Sequence, residues 1–379
     1  MINFNVPYLT GKEQEYVLAA VARKKLSGNG EFTAKCQRLM EERSGFRRVL
    51  LTTSCTDALE MCGLLLDIRP GDEVIMPSFT FVSTANAFML RGATIRFVDS
   101  RADHPGMDEE AIEELITPRT RAIVVVHYAG VACDMDKVME VAARHGVPVV
   151  EDAAQAIASN YKGRALGGIG TLGAFSFHET KNIQCGEGGA LVVNDPALAA
   201  RAEIIWEKGT NRSAFWRGEV DKYNWVDLGS SFLPSEINAA YLFAQLEEID
   251  RIQTKRIALW NRYSDGLQSC FRAGLLQAPA IPTFATNNGH MYYAVCPDAA
   301  SRDRLIAGLK QRGIHAVFHY QSLHASPFFT EKHDGRALPN ADRYSQCLVR
   351  FPLYHDLELE EVERICAAVP EILETILEN

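Results

Sequence analysis

Short apolar runs alternate with amphipathic stretches along the first half of the chain, from about residue 45 to residue 195. The apolar runs are rich in β-branched residues, which is typical of buried strands, while the stretches between them have the spacing of helices. Such alternation predicts an α/β domain with a mainly parallel sheet. The predicted strands cover residues 49–52, 74–77, 95–98, 122–126, 147–150, 174–177 and 190–193, and the clearest helices cover residues 56–66 and 135–145.

The pattern changes after Pro234. One long helix is predicted from there to about Leu267, with charged residues on its solvated face. Farther along, the pattern indicates a strand at residues 291–295 and helices at residues 302–312 and 358–377. Because the chain exceeds the usual size of a single core, we expect a large domain at residues 1–250 and a smaller α+β domain at residues 251–379.

Composition narrows the class of protein. The 379 residues are 47% hydrophobic and 23% charged, as in ordinary globular proteins, and the net charge of −9 argues against nucleic acid or an anionic membrane as partner. The 9 cysteines lack paired metal spacing, so we expect free thiols, a reducing compartment and no metal site. We find no targeting pattern and no run of transmembrane length, and therefore expect a cytoplasmic protein.

Polar and aromatic side chains follow two predicted strands, at the edge where parallel sheets bind ligands. Ser54, Cys55 and Thr56 open a helix, so their N–H groups and hydroxyls could hold a phosphate; alternatively, Ser54 only caps the helix. Phe79 and Phe81 follow the second predicted strand, and only one of them need face a ligand. The alternative is that both rings belong to the core.

A carboxylate and a lysine follow two further predicted strands. A buried Asp152 would need a cationic partner, and a protonated pyridine ring is a suitable one; alternatively, Asp152 is a solvated loop residue or a helix cap. Lys181, followed by the glycine-rich residues 186–189, could condense with an aldehyde and then move a proton, although most lysines lie on the surface. The pair indicates a pyridoxal phosphate site, with Gln155 placed to bond a ring oxygen.

Six segments resemble, in the same order, the sugar aminotransferases of the DegT/DnrJ/EryC1/StrS family. They are residues 27–30, 54–59, 70–75, 151–155, 175–181 and 186–189, so the resemblance spans much of the chain. It implies the fold type I architecture of aspartate aminotransferase-like enzymes, with a large α/β/α domain and a smaller C-terminal domain. It also implies that the cofactor is pyridoxal 5'-phosphate, which alternates with pyridoxamine 5'-phosphate during the cycle.

The resemblance also implies roles for individual residues. Lys181 would bond the cofactor's aldehyde and act as the catalytic base, Asp152 would pair with the pyridine nitrogen and Gln155 would lie near the ring oxygen. The remaining cofactor contacts implied in this way are Phe81 on the ring face and the Cys55 N–H, Thr56 and Ser176 at the phosphate. Ser54 joins them as a predicted cofactor-binding residue because of its place at the start of the helix.

Two positions depart from the family pattern. Cys55 stands where the family often has glycine, so it must present its backbone while its side chain packs elsewhere. Ser231, within residues 228–232, stands where the family usually has an asparagine that reaches the cofactor phosphate of the partner subunit. The resemblance implies that Ser231 takes over that bond in a homodimer with shared active sites, which could pair further into a tetramer.

Within the family, four segments are most similar to the subgroup that makes dTDP-4-amino-4,6-dideoxygalactose: residues 77–88, 126–136, 207–212 and 316–320. The subgroup is implied to aminate C4 of dTDP-4-dehydro-6-deoxy-D-glucose with L-glutamate, for a surface polysaccharide such as enterobacterial common antigen. His319, Tyr320 and His324 could face this dTDP-linked keto sugar; the alternative is that the histidines pack in the interior or lie on the surface.

Two other enzymatic functions and one regulatory function are the alternatives. Another nucleotide-sugar aminotransferase, acting at C3 or C4, would use the same catalytic residues. Related sugar dehydratases carry histidine in place of the lysine, so Lys181 argues against them. A cofactor-free regulatory protein would predict a degraded Asp152 and Lys181 pair or an added basic DNA-binding module, and the sequence has neither.

Overall fold

The computed structural model describes residues 1–377. Its helices are α1 (Glu13–Ala22), α2 (Glu31–Ser44), α3 (Cys55–Leu65), α4 (Val82–Met89), α5 (Met135–His145), α6 (Ala199–Trp206), α7 (Arg212–Trp216), α8 (Glu236–Glu247), α9 (Ile249–Gly266), α10 (Gln268–Arg272), α11 (Ala299–Gln311), α12 (Pro339–Cys347) and α13 (Leu359–Leu377). Its strands are β1 (Val49–Thr52), β2 (Glu73–Pro77), β3 (Thr94–Val98), β4 (Thr120–Val126), β5 (Val149–Asp152), β6 (Asn160–Tyr161), β7 (Arg164–Ala165), β8 (Leu172–Ser176), β9 (Gly189–Val193), β10 (Tyr292–Val295), β11 (Val317–Phe318) and β12 (Leu348–Phe351).

Seven strands form the central sheet, in the order β1-β9-β8-β5-β4-β2-β3. The pairs from β8 to β3 are parallel, whereas β9 runs antiparallel to both of its neighbours. Parallel neighbours need a long crossover connection, and residues 177–188 between β8 and β9 contain no helix. The short connection therefore forces β9 to turn back, and the mainly parallel sheet confirms the predicted fold class.

The strand that carries Asp152 lies slightly farther along the chain than the sequence predicted. The predicted strand covered residues 147–150, whereas β5 spans Val149–Asp152. Pro148 has no amide hydrogen to donate to a ladder, which accounts for the later start. Asp152 is the last residue of β5, so the sheet fixes the direction of its side chain.

The single long helix predicted after Pro234 was wrong, because the chain forms two helices there, α8 and α9. Glu248 separates them, with φ −101° and ψ 13°. The two helices pack against different neighbours: α8 lies on α1 and α2, while α9 lies on α13. A break between them lets each helix bury its own apolar face.

A second sheet, with antiparallel order β10-β12-β11, lies in the C-terminal part. Its residues share a buried cluster with α9, α11 and α13, which includes Tyr263, Tyr292, Leu305, Val349 and Val362. The sequence predicted β10, α11 and α13 but missed β11, β12 and α12. The domain boundary near residue 250 stays a prediction. Within residues 1–377, none of the helices combines the length and the apolar composition needed to cross a membrane.

Candidate active site

A cavity of about 460 Å³ opens beside the carboxyl ends of the parallel strands. Its walls come from the start of α3, the start of α4, the residues after β5 and the connection from β8 to β9, and the second sheet closes one side. Binding outside the carboxyl ends of strands is the general rule for open α/β sheets. The cavity brings together most of the residues that the sequence singled out.

Asp152 lies at the floor of this cavity and is only 6% exposed. Its Oδ2 accepts a 2.7 Å hydrogen bond from Thr84 Oγ1, and its Oδ1 accepts one of 3.2 Å from the N–H of Ala154. Burial raises the pKa of Asp152, and these two hydrogen bonds only partly oppose the effect. A cation bound in the cavity would therefore stabilise the ionised carboxylate strongly.

Lys181 reaches the same cavity from the connection between β8 and β9. Its backbone N–H donates to the carbonyl oxygen of His178 at 2.9 Å, which fixes the turn. Its side chain makes no hydrogen bond or ion pair with any residue of the part that the structure describes. Burial lowers the pKa of Lys181 to about 8, so a large fraction of the amine is unprotonated near that pH. An unprotonated amine is the form that attacks a carbonyl carbon.

The start of α3 offers hydrogen-bond donors to an anion. Ser54 caps the helix, because its Oγ accepts from the N–H of Asp57 at 3.0 Å, as the alternative interpretation expected of its side chain. Gly189 at the start of β9 lies so close that a Cβ there would be 2.4 Å from Cys55 N. The hydroxyls of Thr56 and Ser176 also line the cavity. Together with the backbone N–H groups of Cys55 and Thr56 at the positive end of α3, they suit a phosphate.

One of the two phenylalanines after β2 faces the cavity. Phe81 lines it and is 54% exposed, whereas Phe79 is 1% exposed and packs against Tyr128, Tyr320 and Tyr344. Phe79 is thus a core residue. The ring of Phe81 is free to stack on a planar ligand.

Gln155, Tyr320 and His319 form a connected wall. Gln155 accepts from the N–H of Ala129 at 2.6 Å and donates to Tyr320 Oη at 2.9 Å, and Tyr320 stacks on His319 with ring centroids 3.6 Å apart. His319 Nδ1 lies 2.6 Å from Tyr128 Oη. Burial, with smaller contributions from nearby cations, lowers the pKa of His319 well below its usual range, so this wall is neutral at physiological pH.

Two predicted site residues do not line the cavity. His324 is buried elsewhere, with its Nδ1 2.7 Å from Ser78 Oγ and its Nε2 3.4 Å from Asp342 Oδ1, in agreement with the alternative of a packing histidine. Ser231 is exposed and forms a β-bridge with Glu207. Its predicted contact with a partner subunit stays a prediction.

The sequence did not single out every residue that lines the cavity; among those it missed are Phe4, Thr84, His290 and Arg350. Thr84 lies in the first turn of α4, three residues after Phe81, so its nearness in sequence to the residues that follow the second predicted strand could have indicated it. Arg350 gave no signal, because it belongs to β12, a strand that the sequence pattern did not predict.

Comparisons with known proteins identify the family of the chain. A sequence model of the DegT/DnrJ/EryC1/StrS aminotransferase family matches residues 7–370. The chain belongs to this family. Its fold is similar to that of the aminotransferase TlmJ from Streptoalloteichus hindustanus, with 31% identity, a TM-score of 0.91 and 100% of both chains covered. It is also similar to DesV from S. venezuelae, with 32% identity, a TM-score of 0.87 and 98% of both chains covered.

A third similar structure bears on the cofactor. The sugar aminotransferase Spr1654 from Streptococcus pneumoniae, described as putative, has been solved in a PLP form and a PMP form; in the PLP form it shares 25% identity at a TM-score of 0.90, with 99% of each chain covered. The present enzyme is a pyridoxal phosphate-dependent aminotransferase of this sugar aminotransferase family. Its residues fit the cofactor, since the cavity holds a buried carboxylate, an unpaired lysine and a close-packed helix start beside Gly189.

Proposed function

We propose that this enzyme converts dTDP-4-dehydro-6-deoxy-D-glucose and L-glutamate to dTDP-4-amino-4,6-dideoxy-D-galactose and 2-oxoglutarate. The product would supply a surface polysaccharide of the enterobacterial common antigen type. We further propose that the enzyme works in the cytoplasm as a homodimer with shared active sites. Transamination as the reaction type is supported by one observation: the buried Asp152 and the unpaired Lys181 line the same cavity. The choice of sugar is supported by the subgroup resemblance of residues 77–88 and 126–136.

The cofactor would be held by residues from three directions. Asp152 would face its cationic ring nitrogen, Gln155 its ring oxygen and Phe81 one face of the ring. Its phosphate would lie at the start of α3, bound by N–H groups of residues 54–56 and by the hydroxyls of Thr56 and Ser176. When bound, pyridoxal phosphate supplies an aldehyde and an electron-withdrawing ring that stabilises negative charge on the reacting carbon.

Lys181 is the proposed catalytic base. With a pKa of about 8, its amine can accept a proton from Cα of glutamate in the first half-reaction. It would pass this proton to the C4′ carbon of the cofactor. In the second half-reaction it would move a proton from that carbon to C4 of the sugar and so set the new stereocentre.

Another nucleotide-sugar aminotransferase of the family would use the same residues, so the substrate needs a direct test. The enzyme is incubated with glutamate and a panel of dTDP- and UDP-linked 3-keto and 4-keto sugars, and each product is identified by NMR. We expect turnover of the dTDP-linked 4-keto sugar with an axial amine at C4. Turnover of only UDP-linked sugars, or amination at C3, would contradict the proposed substrate.

The role of Lys181 has its own test. Lys181→Ala is expected to abolish turnover and the covalent adduct that borohydride traps with the cofactor. Lys222→Ala, at an exposed lysine, is the control and is expected to retain both. Retention of the adduct and of turnover in Lys181→Ala would refute the assignment. Circular dichroism checks that the variant is folded, so that loss of activity is not caused by unfolding.

A further inference from the structure

His290 lies shortly before β10 and lines the same cavity as Lys181. Its backbone is held on both sides, because its N–H donates to Asn288 Oδ1 at 3.0 Å and its carbonyl oxygen accepts from Arg256 Nη2 at 2.7 Å. The residue is only 5% exposed. The imidazole ring therefore has a fixed position beside the cavity.

One ring nitrogen of His290 is paired with the residue that follows Lys181 in the chain. His290 Nδ1 lies 2.8 Å from Asn182 Oδ1. The orientation of the Asn182 amide is fixed by its other contacts, because its Nδ2 donates to the carbonyl oxygen of Asn288 at 2.9 Å, and a carbonyl oxygen only accepts. Nδ2 also donates to Gln253 Oε1 at 2.9 Å. The amide oxygen thus faces the ring, so Nδ1 must carry the hydrogen.

The other ring nitrogen is left as a free acceptor. A neutral imidazole has one N–H, so with the hydrogen on Nδ1 the Nε2 atom of His290 has only a lone pair. The ring stays neutral because burial lowers the pKa of His290 well below its usual range. Neighbouring groups lower it further: Lys181, Arg256, Arg350 and His319. Nε2 has no hydrogen-bond partner among the described residues and is not fully enclosed, so it opens into the cavity.

Lys181 lacks the kind of partner that His290 offers. Its amine makes no hydrogen bond or ion pair within the part of the chain that the structure describes, and burial lowers its pKa to about 8. When the amine takes a proton from the substrate, it becomes an ammonium group in a buried site. An unpaired buried charge is costly, so the ammonium needs an acceptor.

The other groups that face the amine are poor candidates for this acceptor. Cys55 and Asp152 favour its charged form, whereas Arg350 disfavours it. Burial raises the pKa of the Cys55 thiol well above its usual range, so the thiol is neutral near pH 8 and accepts hydrogen bonds weakly. Asp152 is the proposed partner of the cofactor's ring nitrogen. A neutral imidazole would hold the ammonium without competing for that carboxylate.

We propose that His290 is a positioning residue for Lys181, and that its Nε2 accepts a hydrogen bond from the ammonium group that forms when the lysine takes up a proton. The proton stays on the lysine, and the imidazole holds the group until the proton is delivered. The proposal rests on the proposed role of Lys181 as base. Two observations support the closeness of the two groups. Asn182, next to Lys181, bonds the ring, and the charge of Lys181 contributes to the lowered pKa of His290.

Two substitutions separate this role from a purely structural one. In His290→Asn the amide nitrogen can still donate to Asn182, as Nδ1 does, but no atom replaces Nε2. In His290→Gln the longer side chain can bring its amide oxygen to the position of Nε2, at the expense of the bond to Asn182. If Nε2 is the important atom, the asparagine variant is impaired and the glutamine variant is close to wild type. If the ring only fastens Asn182, the order is reversed.

The donor half-reaction is followed in the holoenzyme by absorbance, at rising glutamate concentration and without sugar. His290→Asn is expected to lower the maximal rate by about ten-fold or more, the size of one hydrogen bond to a charged group, and to change the half-saturating glutamate concentration by less than about three-fold. His290→Gln should stay within about three-fold of wild type in both quantities. His145→Asn, at an exposed histidine of α5, is the control and should leave both unchanged.

Two measurements on the cofactor-free protein do not depend on turnover. Loss of an acceptor that favours the ammonium should lower the pH of half-maximal Lys181 acylation in His290→Asn by about one unit, and by less in His290→Gln. In wild type, ¹⁵N NMR of the labelled histidines should show the hydrogen of His290 on Nδ1 and none on Nε2 at pH 7. The Nε2 resonance should also move as pH falls through about 8, when Lys181 becomes charged.

Several results would overturn the proposal. They are the reversed order of the two variants, an unchanged acylation midpoint in His290→Asn, and a hydrogen on Nε2 at pH 7. A selective loss of glutamate or keto-sugar affinity at an unchanged maximal rate would also overturn it, because the ring would then bind a substrate. If neither variant folds, the NMR experiment on wild type decides, and an Nε2 resonance that does not respond to the charge on Lys181 overturns the proposal.

Failure of the proposed function would be recognised separately. If no keto sugar is turned over, the donor half-reaction still reports on His290. If Lys181 is not the base, Lys181→Ala retains turnover, whatever the two variants of His290 do.

Discussion

Glu151 and Asp152 are adjacent residues of β5, and the pKa values of their carboxyl groups shift in opposite directions. Burial alone would raise the pKa of Glu151, but a 2.9 Å contact with His127 and hydrogen bonds from the N–H groups of Gly167 and Gly170 outweigh burial and lower it. Burial dominates for Asp152 and raises its pKa. Since neighbours on a strand point to opposite faces, one carboxylate anchors the sheet and the other is left for a ligand.

We expect Glu151→Gln to destabilise the protein by about 3 kcal/mol, because the amide would place an N–H₂ group among the buried N–H groups of Gly167, Ile169 and Gly170 that now donate to the carboxylate. The thermal unfolding midpoint of the cofactor-free protein measures this change. Because the folded-state pKa of Glu151 is lowered, its contribution is fully present above the unfolded-chain value of about 4.3 and is lost as pH falls through the folded value.

The difference between wild type and Glu151→Gln should therefore begin to shrink as pH falls below about 4.3, where the unfolded chain takes up the proton first, and should disappear only below the lowered pKa of the folded state. The exposed Glu110, paired with the exposed Lys137, gives the control Glu110→Gln, which should change stability little. Equal stability of Glu151→Gln and wild type at pH 7 would contradict the anchoring role.

Thr84→Val should weaken cofactor binding. Thr84 is the side chain that donates to Asp152, and its loss should raise the pKa of Asp152 further and weaken the proposed pairing with the ring nitrogen. We expect about a ten-fold loss of affinity for pyridoxal phosphate, the size of one hydrogen bond to a charged group. Fluorescence titration of the cofactor-free protein measures it. Thr84→Ser keeps the donor and should restore most of the affinity, and wild-type affinity in Thr84→Val would contradict the prediction.

The strands of the central sheet could be predicted from the sequence because their apolar runs are short, buried and bounded by polar residues. The pattern did not predict β12, since Arg350 interrupts a short run, nor the break at Glu248, which depends on what α8 and α9 pack against. The spacing of apolar and polar residues indicates whether a segment is a helix or a strand. It does not indicate where one helix ends and the next begins when tertiary contacts decide the break.

The sequence could predict those residues of the candidate site that directly follow a strand of the parallel sheet. Asp152 and Lys181 were found in this way, and both line the cavity. Thr84 and Arg350 were not found, because their relevance comes from the residues that they approach in space. His324 was named with His319 and Tyr320 as part of one segment that could face the sugar, yet its side chain lies outside the cavity and is buried against Ser78.

Gly189→Ala should disturb the start of α3. A Cβ at this position would lie 2.3 Å from the carbonyl carbon of Ser54, and backbone cannot yield as a flexible side chain does. If the phosphate binds there, the variant should lose affinity for pyridoxal phosphate but not for pyridoxal, which lacks the phosphate. Gly45→Ala is the control: it has φ +69° and no neighbour within 4 Å, so it should cost about 1 kcal/mol of stability and leave cofactor affinity unchanged. Equal losses for both ligands in Gly189→Ala would contradict the phosphate site.

Lys181 should become reactive at a lower pH than exposed lysines. Burial lowers its pKa to about 8, and acylating reagents attack only the unprotonated amine, so modification of Lys181 in the cofactor-free protein should be half-maximal near pH 8. Mass spectrometry of peptides after competitive labelling measures this midpoint, with the exposed Lys222 as an internal reference. Arg350→Gln removes a cation that disfavours protonation of the lysine, so the midpoint should move upward in that variant. A midpoint above pH 10 in wild type would show that Lys181 is solvated and would remove the physical basis for its role as base.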